Sequence, residues 1–257
     1  MRAILETIVE MLLKVIGTLK LQEKEPERDP PPALVSVKYV KPDIRFVDVP
    51  MKNRGKYKTK SGQAKGVVVH YTAGRQDQGS AMGTLIDGAA SGYSYFCMDI
   101  DGVIHVPNSI GFSGFGYHAG TSKWNGVSGV SQYLYGMEIC SAGKLVELDK
   151  KLYPYYCFKN WSGKKADLLP GAKHISQDKC RLVKAKDNIK QGWYLKYTDK
   201  QELALKNFCL WQLDTNKEFS IDWVVGHDEV APDRKSDPGG SLSTSMPEFR
   251  SMLRKSV

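Results

Sequence analysis

The sequence predicts an α/β fold, and three observations carry that expectation. Gly66-Val67-Val68-Val69-His70 is an apolar run of strand length that ends in a histidine. Residues 93–98 and 103–106 are strand-like and flank Asp99-Ile100-Asp101-Gly102, a hairpin turn signal. Thr198-Asp199-Lys200-Gln201 has the spacing of a helix capping box, and Leu203, Leu205, Phe208, Leu210, Trp211 and Leu213 carry the helix on to about Lys217. Between these anchors, residues 79–90 are small and apolar enough for a helix. Residues 135–139 read as another strand, and 221–226 as a final strand that delivers His227.

A chain of 257 residues amounts to about 1.7 domain equivalents at roughly 150 residues each. Hydrophobic residues at 41% and charged residues at 25% exclude general disorder. The 24 Gly and 12 Pro show no triplet period, which excludes a collagen-like fibre. Thirty-seven basic against 28 acidic residues leave a net charge of +9, which favours an anionic partner: nucleic acid, a membrane surface or a cell-wall polymer. Five cysteines without a C-x-x-C pattern indicate neither a disulfide framework nor a thiolate zinc cage. Cys157 and Cys180 stand as a candidate pair only if the protein is exported.

Residues 1–22 read as an amphipathic helix. Arg2, Glu6, Glu10 and Lys14 recur every four residues along one stripe, opposite Leu5, Ile8, Leu12, Val15 and Leu19. The acidic residues interrupt the run too often for a signal peptide or a membrane span. Residues 23–35 form a charged, proline-rich linker, and the compact domain is expected over 36–257. Within it, residues 144–200 carry 14 Lys/Arg and 6 Asp/Glu, so nearly all the net charge lies in this one segment. It also holds Tyr153, Tyr155, Tyr156, Phe158, Trp161, Trp193, Tyr194 and Tyr197, and reads as a basic, aromatic-rich insertion.

His227 ends an apolar strand, and a turn-rich segment returns to Asp237 ten residues later, beside Lys235. His70 ends the other strongly apolar strand. If the two strands are neighbours, both imidazoles emerge at one sheet edge, and two histidines with one carboxylate make a catalytic zinc set. Taken alone, a strand-end histidine is more often a satisfied structural residue.

Four segments in order resemble the type 2 N-acetylmuramoyl-L-alanine amidases, the family of AmpD-like enzymes, phage endolysins and peptidoglycan recognition proteins. They are Val67-Val68-Val69-His70-Tyr71-Thr72-Ala73, Tyr117-His118-Ala119-Gly120-Thr121-Ser122-Lys123-Trp124, Tyr135-Gly136-Met137-Glu138-Ile139, and Gly226-His227-Asp228-Glu229 through Arg234-Lys235-Ser236-Asp237-Pro238-Gly239. The resemblance covers about residues 60–143 and 198–250. It implies a single catalytic domain built on a central mixed β-sheet flanked by helices, with the site at one sheet edge. It implies one Zn2+ per chain held by His70, His227 and Asp237, Glu138 as the base, and Lys235 as partner of the developing oxyanion. His118 would line the substrate cleft, with Trp124 from the same segment. Some members carry a catalytic tyrosine on the strand before the Asp-Gly turn. Ser94 aligns there in this chain, so the base is assigned to Glu138, and neighbouring Tyr93 is placed among the substrate contacts.

The resemblance implies hydrolysis of the amide between N-acetylmuramic acid and the L-alanine of the stem peptide. With the basic surface and no signal peptide, it suits a phage or prophage lytic enzyme made in the host cytoplasm and acting on the wall. A cytoplasmic wall-recycling amidase and a non-catalytic peptidoglycan-binding module are the alternatives. The expected partner is bacterial peptidoglycan. Anionic envelope polymers would meet residues 144–200, and self-association or a membrane surface would engage residues 1–22. Nucleic acid is not expected, because no nucleic-acid-binding motif accompanies the basic patch.

Overall fold

The structure, a computed structural model, describes residue 11 and residues 39–52, 55–77, 79–93 and 96–257. The helix expected at 1–22 and the linker at 23–35 lie outside the described residues, Met11 excepted. Residues 37–257 form one compact unit. In chain order its elements are β1 (Ile44–Val47), β2 (Gly55–Lys56), β3 (Gly66–Tyr71), α1 (Ser80–Ser91), β4 (Phe96–Met98), β5 (Ile104–Pro107), β6 (Gly114–Phe115), β7 (Lys123–Trp124), β8 (Val127–Ser128) and β9 (Leu134–Ile139). There follow β10 (Lys144–Leu148), β11 (Lys151–Pro154), β12 (Cys180–Val183), β13 (Gly192–Leu195), α2 (Asp199–Thr215), β14 (Val224–Gly226), α3 (His227–Val230) and α4 (Met246–Arg254). Among the described residues, no helix is long and apolar enough to cross a membrane.

The central sheet is mixed, in the order β1-β5-β4-β9-β3-β14. Strands β4, β9, β3 and β14 run parallel, and β5 is antiparallel to β4 across the Asp99–Gly102 turn. The apolar run of β3 is paired on both edges by β9 and β14 and buried on both faces by the layers packed on either side of the sheet. Side-chain alternation then sorts the core. Val67, Val69, Tyr135, Met137 and Ile139 face one way and pack with Phe208 of α2 and Phe249 of α4. On the other face Cys97 meets Ala81, Leu85 and Ala89 of α1, while Val68, Leu134 and Val225 pack with Ala119, Val130 and Val230. His70 and Glu138 belong to this second face.

The predicted capping box of α2 is present: the Thr198 hydroxyl accepts the Gln201 N–H at 3.1 Å, and Gln201 Oε1 accepts the Thr198 N–H at 3.0 Å. One sequence expectation changes, and one open question is answered. Residues 221–223 form a 3-10 turn rather than the first half of a strand, because the Ser220 hydroxyl takes the Asp222 N–H and the Ser220 carbonyl takes the Trp223 N–H. The thiols of Cys157 and Cys180 are both free and buried, and each faces a backbone carbonyl, of Lys173 and Ser176 respectively.

The insertion has a sheet of its own, antiparallel, in the order β11-β10-β13-β12. It is therefore more than a solvated basic excursion. Tyr194 of β13 is fully buried, and Arg181 of β12 donates to the carbonyls of Gly240 at 3.0 Å and Leu242 at 2.6 Å.

The end of β14 is secured by a buried ion pair. Glu229 accepts both Arg250 guanidinium nitrogens at 2.7 and 2.8 Å and the Gly226 N–H at 3.0 Å, while Arg250 also donates to the Val224 carbonyl at 2.9 Å. Arg250→Ala leaves a buried carboxylate without its cation, and should lower the unfolding free energy by about 3–5 kcal/mol. A urea titration that finds the variant as stable as the parent would show the pair to be dispensable.

Candidate active site

Parallel pairing builds the site. Gly226 is the partner of Val69 across β14 and β3, so His227 emerges beside His70 at the same sheet edge. On the other side of β3, Glu138 of β9 is the direct register partner of His70. The loop after α3 returns Asp237 to this edge, where its backbone carbonyl accepts the Asp228 N–H at 2.8 Å. His70, His227 and Asp237 are all buried, and one potential ligand atom from each lies within 4.8 Å of the others. Asp237 Oδ2 stands 2.9 Å from Nδ1 of both histidines.

The hydrogen-bond partners decide the tautomers. His118 Nε2 lies 3.1 Å from the Leu134 carbonyl, an acceptor only, so that nitrogen carries the proton. Burial first, then neighbouring His70, holds the His118 pKa well below its ordinary value, so the ring is neutral and its Nδ1 is a bare lone pair. That lone pair accepts from His70 Nε2 at 3.1 Å. Burial and then His227 bring His70 down to about 4. His70 is therefore neutral too, and its Nδ1 faces the Asp237 carboxylate with no proton between them. A carboxylate and a bare imidazole nitrogen at 2.9 Å repel unless a cation joins them. His227 fits the same demand, since its Nε2 lies 3.2 Å from the Ala119 carbonyl and leaves Nδ1 for the cation. Both histidines thus have the outer hydrogen bonds that orient metal ligands, and the donor set of two imidazoles and a carboxylate suits zinc.

The depressed His70 pKa has a consequence for stability. Between its value of about 4 in the fold and about 6.5 in the unfolded chain, the unfolded state binds the extra proton. His70 therefore contributes a loss of stability to the metal-free protein as pH drops through that window, while Asp228, raised by burial to about 8, contributes the opposite. Denaturation midpoints should decline more steeply toward acid in the parent than in His70→Gln, and identical profiles would contradict this placement of His70.

Glu138 sits beside the cluster, with Oε2 buried and without a hydrogen-bond partner. Burial, then the charge of Asp237, pushes its carboxyl well above the ordinary range, while Lys235 pulls the other way. Lys235 is half-buried and lines the same cavity of 330 Å3 together with His70, Tyr71, His118, Glu138 and Asp237. Gly136 is what admits His118 to the face of β9: a Cβ there would fall 2.6 Å from the His118 ring.

Several supports carry no signal in the sequence. The Tyr197 hydroxyl donates to the His70 carbonyl at 2.9 Å, and the Tyr71 and Ser236 hydroxyls meet at 2.7 Å. Arg234 ties the two cleft loops together through the Thr121 carbonyl at 2.8 Å and the Ala119 carbonyl. The carbonyls of Ala119 and Leu134 are backbone atoms that any residue type supplies.

Tyr93 and Trp124 are not brought to the cavity. Tyr93 follows α1 and is 54% exposed. Trp124 donates its indole N–H to the Asp222 carbonyl at 2.9 Å, and the Arg250 guanidinium lies 5.5 Å from its ring centre. Its position is that of a packing residue against the Glu229–Arg250 pair. His105 is half-buried, with Nε2 3.2 Å from Asp99 Oδ2. Cys140 is buried.

One parallel-sheet edge thus brings together two histidines and an aspartate that could hold a metal ion, with a half-buried glutamate beside them. The family described as N-acetylmuramoyl-L-alanine amidase matches residues 60–240, and the chain belongs to it. It is an enzyme of that amidase class. No curated protein matches the chain. Among solved structures it is similar to a selenomethionine derivative of AmpD, at 18% identity and a TM-score of 0.48, covering 82% of this chain and 94% of that one. It is also similar to AmpDh3 from Pseudomonas aeruginosa, at 20% identity and a TM-score of 0.43, covering 78% and 63%. A third is AmiD from E. coli in complex with anhydro-N-acetylmuramic acid-L-Ala-D-gamma-Glu-L-Lys, at 18% identity and a TM-score of 0.42, covering 69% and 53%.

Proposed function

We propose that this enzyme is a zinc-dependent peptidoglycan amidase that cuts the amide between the lactyl group of N-acetylmuramic acid and L-alanine, as a phage or prophage lytic enzyme. The observation that carries the zinc is the convergence of His70 Nδ1 and His227 Nδ1 on Asp237 Oδ2, each at 2.9 Å. His70, His227 and Asp237 would hold the ion, one per chain. Zinc, when bound, supplies a Lewis acid and makes water acidic enough to attack at neutral pH.

The chain's own groups do the rest. Glu138, with its raised pKa, takes a proton from the attacking water and delivers it to the departing L-alanine nitrogen. Lys235 brings a positive charge to the oxyanion that develops on the lactyl carbonyl. His118 orients His70 through the Nε2–H it receives, and its ring forms part of the cleft wall. Lys235→Ala should lower turnover about 10²–10³-fold, by analogy with loss of one preorganised donor, with zinc content unchanged. An undiminished rate would remove Lys235 from the reaction.

The expected partner is peptidoglycan. Anionic envelope polymers are a second partner, through the lysines of the insertion. Lys165 and Lys186 already pair with Asp149 and Glu248, so Lys164 and Lys184 are the better residues to neutralise in a wall-binding assay. The proposed site of action is the cell wall, after synthesis in the host cytoplasm. Mass spectrometry of products from purified peptidoglycan, with metal analysis of the same preparation, tests the reading. Free stem peptides beginning at L-alanine are expected. Cleavage elsewhere, or full activity in metal-stripped protein, would overturn it.

A further inference from the structure

The insertion displays one large aromatic side chain that its own packing does not use. Trp161 is 54% exposed, at the tip of a closed loop. Phe158 bridges Leu168, and the Lys159 N–H reaches the Asp167 carbonyl at 2.8 Å. At the tip, the Ser162 hydroxyl donates to the Asp167 carboxylate and accepts the Lys164 N–H. Trp161 itself stands at φ 51°, a conformation that bulky residues rarely adopt. Its ring is held parallel to that of Tyr155, with centroids 6.1 Å apart and planes 9° apart. Pro154, the residue before Tyr155, is the register partner of Leu145, and Gly143, two residues before Leu145, lies against Tyr71, where a Cβ would fall 2.3 Å from its ring. Tyr71 lines the cavity of the candidate site, so the end of β11 that leads into Tyr155 lies on the cavity side of the insertion's sheet.

We propose that Tyr155 and Trp161 form a platform on which a pyranose ring of the glycan strand stacks. The proposal rests on the amidase reading. The sugar whose lactyl amide is cut must sit beside Glu138, and the strand it belongs to has to leave the cavity along a wall. Aromatic faces receive the apolar face of a pyranose, and a ring already fixed by its loop loses little freedom on binding. The platform would make this enzyme prefer polymeric wall over short fragments.

Peptide-free glycan strands of alternating N-acetylglucosamine and N-acetylmuramic acid, titrated calorimetrically into the full chain, test it. The parent should bind. Trp161→Ala should bind about tenfold more weakly, the loss of one stacked ring, and Trp161→Phe should recover most of the affinity. The ratio of kcat/KM for polymeric peptidoglycan to that for a single-sugar N-acetylmuramoyl peptide should fall by a similar factor in Trp161→Ala. No strand binding by the parent, or equal affinity in parent and Trp161→Ala, overturns the platform. So does Trp161-dependent binding of a single-stranded oligonucleotide in preference to the glycan. Trp161-dependent strand binding by a protein that hydrolyses neither substrate would support the platform and refute the amidase reading.

Discussion

Glu138→Gln should reduce turnover by about 10²–10⁴-fold while the protein keeps its metal and its fold. Glutamine preserves the shape of the side chain but cannot take up and return a proton. Glu138 also carries a buried Oε2 with no partner, so the amide costs the fold little. KM should change little, because proton transfer matters mainly in the transition state. Kinetics on a soluble muropeptide, with metal analysis of the same preparation, decides the matter. Near-parental turnover would place the base elsewhere, and Tyr93, exposed after α1, would be the next residue to test.

Asp237→Ala should abolish both metal binding and activity, a larger effect of a different kind. The carboxylate is the centre of the cluster, since one oxygen lies 2.9 Å from each Nδ1. Without it only two neutral imidazoles face the ion, short of the three protein ligands of catalytic zinc sites. His70→Ala and His227→Ala should share this outcome, which separates the three ligands from Glu138 and Lys235. A variant of Asp237 that retains one zinc and its turnover would refute the ligand set.

The meeting of His70, His227 and Asp237 was legible in the sequence for a definable reason. His70 and His227 each end an apolar strand, and parallel pairing of β14 with β3 converts two strand ends into one edge. Glu138 was legible because a carboxylate inside an apolar strand needs a reason to be there. What escaped notice was made of atoms without residue-type signal, such as the Leu134 and Ala119 carbonyls that set the tautomers. Strand β1 escaped because Arg45 and Phe46 are both exposed and break the alternation. The insertion's sheet escaped because its strands are four or five residues long and interspersed with lysine. Tyr93 and Trp124 were placed by likeness of position alone; neither lines the cavity, and Trp124 packs against Arg250.

The packing of Tyr194 has a consequence for anyone wishing to transplant the insertion. A Cβ at Gly239 would fall 2.6 Å from the Tyr194 ring, and one at Gly240 would fall 2.8 Å from both Tyr194 and Val183. Those glycines follow Asp237 by two and three residues, so the segment and the loop that carries Asp237 are cut to fit each other. Residues 144–200 are therefore not a free-standing cassette. A chimera that receives them must also receive the Gly239-Gly240 pair, and a deletion that removes them strips the backing from the Asp237 loop.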